Sequence, residues 1–127
     1  MAGSKQPLSN RELDIMNTFW DAGKPLIASE VVQINPALSI NTVQATLKKL
    51  MNKSYIKIAD IVYSGTVLTR SYETLVDRDT YMASLVKSNQ VSLPGLMKQL
   101  IEQETDPEVL ESLISLIHDR QEALKQA

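Results

Sequence analysis

Residues 39–53, SINTVQATLKKLMNK, read as a short helix with two faces of opposite character that runs directly into a hairpin pattern. Ser39 is a good N-cap, because its side-chain oxygen can accept a hydrogen bond from the first free backbone amides. Val43, Leu47, Leu50 and Met51 then fall at i, i+4, i+7 and i+8, a spacing that gathers apolar groups on one buried stripe. Asn41, Gln44, Ala45, Lys48 and Asn52 line the opposite face, with Thr42, Thr46, Lys49 and Lys53 on its flank. No acidic residue occurs in this stretch. A helix that needed only to be soluble would mix Glu with Lys, since i, i+4 pairs of opposite sign stabilise helices.

These residue types suit a DNA major groove. Asn and Gln can make paired hydrogen bonds to adenine edges, Ala leaves room beside a thymine methyl, and Lys reaches guanine or phosphate. An ordinary solvated face would use the same residues, so the neighbouring segments decide between the two readings. Upstream, Ser9 caps a helix that runs to about Ala22, with Leu13, Met16, Phe19 and Trp20 inward and Gly23 ending it. A second short helix, about residues 29–35, carries Val31, Val32 and Ile34 and is broken by Asn35-Pro36. Two short helices joined by a tight break form a helix-turn-helix.

Downstream, residues 55–63 are rich in β-branched and aromatic side chains, Ser64-Gly65 supplies a turn, and residues 66–72 resume the strand pattern. The expected product is a two-stranded wing. Its tip, Ser64, Gly65 and Thr66 with Tyr63 and Arg70 close by, is small and polar enough to approach a sugar-phosphate backbone.

The segment Leu8-Ser9-Asn10-Arg11-Glu12-Leu13-Asp14-Ile15-Met16 with Trp20, then Asn41-Thr42-Val43 with Leu47 and Leu50, then Lys53-Ser54-Tyr55-Ile56 and the wing from Gly65 to Tyr72, together resemble the penicillinase-repressor family of BlaI, MecI and CopY type. The likeness extends over nearly the whole chain and rests on the order and spacing of these motifs. It implies a homodimeric winged-helix repressor that binds an inverted-repeat DNA operator, with the third helix reading bases and the wing holding phosphate. The chain departs from the family in three places. Asn41 and Gln44 stand where relatives often carry a basic residue, which points to a different operator sequence. CopY-type members end in a copper-binding cysteine cluster, whereas this chain has no cysteine, which excludes a thiolate metal sensor. Penicillinase repressors of the family are cut by a sensor protease at an Asn-Phe bond in the dimerisation region; Gln99-Leu100 occupies that place and departs from the cleavage pair.

Composition fits a small cytoplasmic protein of 127 residues, 43% of them hydrophobic. No apolar run approaches the roughly 18 residues of a membrane helix, and the polar opening residues are unlike a signal peptide. A formal charge of -2 is unusual for a DNA binder, but its distribution is informative. Residues 1–75 hold 8 basic and 6 acidic groups, and residues 76–127 hold 5 basic and 9 acidic. Lys48, Lys49, Lys53, Lys57 and Arg70 cluster on the helix and wing with only Asp60 among them.

The expected fold is mostly α with a small β-hairpin. Residues 1–8 form a flexible tail, residues 9–75 a winged helix-turn-helix, and residues 76–127 a helical dimerisation region of three short helices. Tyr81, Leu85, Leu96, Leu100, Leu110, Leu113, Ile114 and Ile117 are the expected dimer residues, since so few helical residues make too small a core alone. Asp106 caps the last helix, with Pro107 at its first position.

No enzyme, cofactor or metal site is expected. His118, the single histidine, lies beside Asp119 and near Glu122 in a pattern typical of a solvated surface. No phosphate-binding loop, nucleophile elbow or metal-ligand spacing occurs, and the acidic run from Glu102 to Glu111 reads as a helix cap region. The competing function is a winged-helix protein-interaction module that never binds DNA. Such a surface should offer apolar anchors, and Asn41, Gln44, Ala45 and Lys48 offer almost none.

Overall fold

A computed structural model describes residues 7–127. Within that range the elements are α1 (Asn10–Ala22), β1 (Leu26–Ile27), α2 (Ala28–Ile34), α3 (Ile40–Asn52), β2 (Ile56–Ser64), β3 (Val67–Thr74), α4 (Arg78–Ser88), α5 (Leu93–Gln103) and α6 (Pro107–Lys125). They form two compact units, one ending at Asn89 and the other spanning residues 90–127.

The first unit grows from three short helices whose apolar stripes meet. Ile15, Met16 and Phe19 of α1, Val31 of α2, and Val43, Leu47 and Leu50 of α3 are buried together with Leu26, Tyr55, Ile56, Val76 and Tyr81. Full burial of each aliphatic side chain contributes roughly 1.5–3 kcal/mol. The buried stripe of α1 is rotated from its expected position. Glu12 and Ile15 are buried, whereas Leu13 and Trp20 are only half-buried. Gly23 ends α1 in the left-handed conformation at φ 66°, which a side chain disfavours.

Among the described residues the two strands of the expected hairpin are joined by a third, short one. β1 pairs antiparallel with β3, and β3 with β2, giving the order β1-β3-β2. A strand of two residues leaves no periodicity to read in the sequence. The wing turns through Gly65 and Thr66, with Gly65 at φ 63°, as a two-residue hairpin with positive φ at its first central position requires.

The first compact unit runs past the boundary expected between residues 75 and 76 and takes in α4. Helix α4 docks on α1: Trp20 Nε1 donates to the Val76 carbonyl at 2.9 Å, and Arg78 donates to Asp21 at 2.8 Å while its guanidinium lies 5.4 Å from the Trp20 ring centre. Tyr81, at 3% exposure, meets the rings of Trp20 and Tyr55 at 6.0 and 5.9 Å. Leu85 packs half-buried against the same core. Tyr81, expected at a dimer seam, is therefore a core residue of the first unit, and Leu85, expected there too, packs half-buried on that core. Apolar residues at i and i+4 on α4, Tyr81 and Leu85, say that something covers them, not whether the cover is their own chain or a second copy. The expected tail is shortened for a related reason. Its residues 1–6 lie outside the described range, but the Leu8 amide donates to the Tyr81 phenol oxygen at 3.0 Å. Replacing Tyr81 by Phe removes that acceptor and should lower stability by about 1 kcal/mol. Urea unfolding at two protein concentrations checks this; a concentration-dependent loss would return Tyr81 to a subunit interface.

The second unit consists of α5 and α6. Ser92 caps α5, while Asp106 accepts from the Glu108 amide at 2.9 Å to cap α6 and Pro107 opens it, the last two as expected from the sequence. Neither helix contains a buried residue. Leu96, Leu110 and Leu113 are half-buried, while Leu100, Ile114 and Ile117 are exposed. Among the described residues no helix is long and apolar enough to cross a membrane.

Candidate nucleic-acid interface

Helix α3 begins as its sequence dictates. Ser39 Oγ accepts from the Thr42 amide at 3.1 Å and donates to the Thr42 hydroxyl at 3.0 Å. Val43, Leu47 and Leu50 point into the core, which leaves Asn41, Gln44, Ala45, Lys48 and Lys49 exposed. Lys48 and Lys49 make no ion pair among the described residues. The exposed face thus combines amide donors and acceptors, a small methyl and two free cations.

Two residues expected to face DNA have partners within the protein. Thr46 is buried, and its hydroxyl donates to the Thr42 carbonyl at 2.8 Å. It stands one turn before Leu50 and three residues after Val43, so helical spacing puts it in the core despite its polarity. Lys53 is committed elsewhere: its Nζ lies 2.8 Å from Glu12 Oε1. Thr42 is half-buried, while Ser39 is exposed but uses its hydroxyl as a cap.

The Glu12–Lys53 pair ties the end of α3 to the start of α1. Glu12 is 4% exposed and also accepts from the Ser9 amide at 2.9 Å, completing a capping box in which Ser9 Oγ accepts from the Glu12 amide at 3.2 Å. Burial raises the Glu12 carboxyl, but the hydrogen bonds from Lys53 and Ser9, together with the Lys53 charge, outweigh it and hold the group below its ordinary 4.5. Close by, burial with added repulsion from Tyr81 and Glu12 pushes the Tyr55 phenol up to about 12. Glu12 does not stand out in the sequence as a positioning residue, although Ser9-x-x-Glu12 is the signature of a capping box.

The passage from α3 into the wing is equally fixed. Ser54 adopts φ 64°, the Tyr55 amide donates to the Leu50 carbonyl at 2.9 Å, and the Ser54 amide to the Met51 carbonyl at 3.0 Å. This pair of bonds is a Schellman motif, and the buried Tyr55 and Leu50 make its usual apolar partners. In the wing, Tyr63, Ser64, Gly65, Thr66 and Arg70 are all exposed, and Arg70 makes no ion pair among the described residues. Lys57 differs from them, facing Glu73 across the sheet at 3.3 Å. Among the described residues no three His, Cys, Asp or Glu side chains are grouped to hold a metal ion.

Three helices packed on a small antiparallel sheet, with a hairpin extending beyond them and a capped third helix that presents amides and lysines, define a winged helix-turn-helix protein of the transcription-regulator class. The chain belongs to the penicillinase repressor family, whose profile matches residues 8–119, and so to the DNA-binding repressors of transcription. Among solved structures, a possible transcriptional regulator from Methanosarcina mazei is 20% identical, with 77% of this chain and 81% of that one covered at a TM-score of 0.50, a likeness of fold. Streptococcus pneumoniae FabT, solved in complex with DNA, is 15% identical over 94% of this chain and 78% of its own, with a TM-score of 0.44. A multiple antibiotic-resistance repressor (MarR) from Listeria monocytogenes is 13% identical over 94% and 77%, with a TM-score of 0.45. No individually curated protein matches the sequence.

Proposed function

We propose that the protein is a homodimeric repressor that binds an inverted-repeat operator, with α3 in the major groove and the wing on the adjoining backbone. It carries out no enzymatic reaction in this reading and works in the cytoplasm. The observation that carries it is the exposed face of α3, where Asn41, Gln44, Ala45 and Lys48 stand together with no acidic neighbour, and where the one large apolar side chain exposed beside them in the helix is Ile40 at its first position. Such a face suits base edges and phosphates and offers a protein partner little to grip. Family membership supports repression, and the exposed apolar side chains of α6 support a second copy. Two copies couple two weak half-sites into one tight site.

Selection of random duplex DNA by the purified protein, followed by titration of the best sequence at two salt concentrations, tests the reading. An inverted repeat bound more than about a thousandfold tighter than random DNA is the expected result. Failure to enrich any sequence would favour the protein-interaction module. Within the selected site, Gln44→Ala should cost roughly 1 to 3 kcal/mol and relax preference at one position of each half-site. A uniform loss over all sequences would remove Gln44 from base reading. Lys49→Ala or Arg70→Ala should instead weaken binding to every sequence and flatten the slope of log K against log salt by about 0.9 for each phosphate that is no longer neutralised. An unchanged slope would place both side chains off the backbone.

A further inference from the structure

The face of the sheet that packs on the helices does not end where the core ends. Leu26 and Tyr72 are direct cross-strand partners, and Leu26 and Ile56 are buried, which marks the face shared by Leu26, Ile56, Ile58 and Tyr72 as the core side. Beyond Ile58 the pairing skips Ala59, so β2 carries a bulge. Without it, Ile58 and Ile61 would stand on opposite faces; with it, the Ile61–Arg70 and Tyr63–Leu68 pairs continue on the core side to the wing tip. Three large apolar side chains there are held in water, with Ile61 61%, Tyr63 73% and Leu68 58% exposed.

The surroundings of this stripe select its partner. No acidic residue occurs from Ile61 to Tyr72, and Arg70, in the middle of the face, has no ion-pair partner among the described residues. A two-residue turn keeps the tip narrow. Apolar wedges beside an unpaired arginine, on a slender projection from the helix side of the sheet, match the chemistry of a minor groove, where apolar side chains part base steps and arginine is drawn by negative potential. We propose that Tyr63 and Leu68 form a wedge that enters the minor groove beside each half-site and unstacks a base step there, with Arg70 behind them. This rests on the DNA reading above and adds to it a source of specificity outside the bases that α3 reaches.

The test uses the duplex enriched by the full-length wild-type protein, with 2-aminopurine placed in turn at each position flanking the half-sites. Wild-type protein should raise the fluorescence several-fold at one flanking step, preferentially a pyrimidine–purine step. The double variant Tyr63→Ser/Leu68→Ser should abolish that rise and weaken binding about tenfold, while sequence preference at the helix-read positions is kept. No rise at any flanking position with wild-type protein would overturn the wedge while leaving the DNA reading intact. A variant that changes the sedimentation coefficient of the free protein and leaves the fluorescence untouched would assign the face to a second copy and overturn the wedge as well. If the wild-type protein enriches no duplex, the DNA reading fails and takes the wedge with it.

Discussion

Replacing Lys53 by methionine should destabilise the first unit by about 3 kcal/mol at neutral pH, the cost of leaving the buried Glu12 carboxylate without its cation. The direction of the asymmetry follows from burial. Side-chain exposure is 28% for Lys53 and 5% for Glu12, so the lysine left by Glu12→Ala can turn to water, whereas the carboxylate left by Lys53→Met cannot. The pH dependence has a definite sign. In the wild type the Glu12 carboxyl lies below its ordinary 4.5, so its stabilising contribution is complete above that value and is lost as pH falls through the folded value. In the variant the Lys53 cation no longer opposes burial, so the group rises from its wild-type value and acidification relieves the variant. The stability difference should therefore be largest near pH 7 and shrink as pH falls through the carboxylate range. Urea unfolding across that range measures it, and Glu12→Gln in the Lys53→Met background should recover part of the loss. A difference that stays constant with pH would mean that the packing of the lysine stem, not its charge, is responsible. The salt slope of DNA binding separates this role from phosphate binding, since a lysine already held by Glu12 should leave the slope unchanged.

That pair also marks where the sequence stops being legible. Helix boundaries, caps and the wing turn can be read from Ser9, Gly23, Ser39, Asp106, Pro107 and Gly65, because each satisfies a local backbone requirement wherever the rest of the chain lies. The apolar stripe of α3 can be read from Val43, Leu47 and Leu50 for the same reason. What stays hidden depends on neighbours distant in sequence. Glu12 and Lys53 are polar residues 41 positions apart that meet in space, and neither announces the other. Thr46 has a core spacing and a surface composition, and in a packed helix the spacing wins. Tyr81 is covered by the rings of Trp20 and Tyr55 and Leu85 packs on the same core, contacts that lie within one chain. The bulge at Ala59 leaves no mark in composition, yet it sets which side of the wing Ile61 and Tyr63 occupy.

The burial of Tyr81 and Leu85 sharpens the case for α6, because it leaves residues 90–127 to supply the proposed subunit interface. Leu110, Leu113, Ile114 and Ile117 recur at i, i+3, i+4 and i+7; the first two are half-buried and Ile114 is 65% exposed. Scattered exposed leucines are ordinary, but a stripe on a capped 19-residue helix with no buried residue of its own is the surface that the proposed dimer would cover. Ile114→Asp would place a charge in the middle of that stripe. In the proposed dimer it should lower the solution mass from twice 14.2 kDa to 14.2 kDa, measured by sedimentation equilibrium. Affinity for the full inverted repeat should fall on the order of 10²–10³-fold, because the second half-site is no longer held at high effective concentration. Affinity for an isolated half-site should hardly change, since the first unit and its reading helix are untouched. Equal losses on half-site and full site would trace the effect to misfolding rather than to valency, and an unchanged mass would take Ile114 out of the subunit interface.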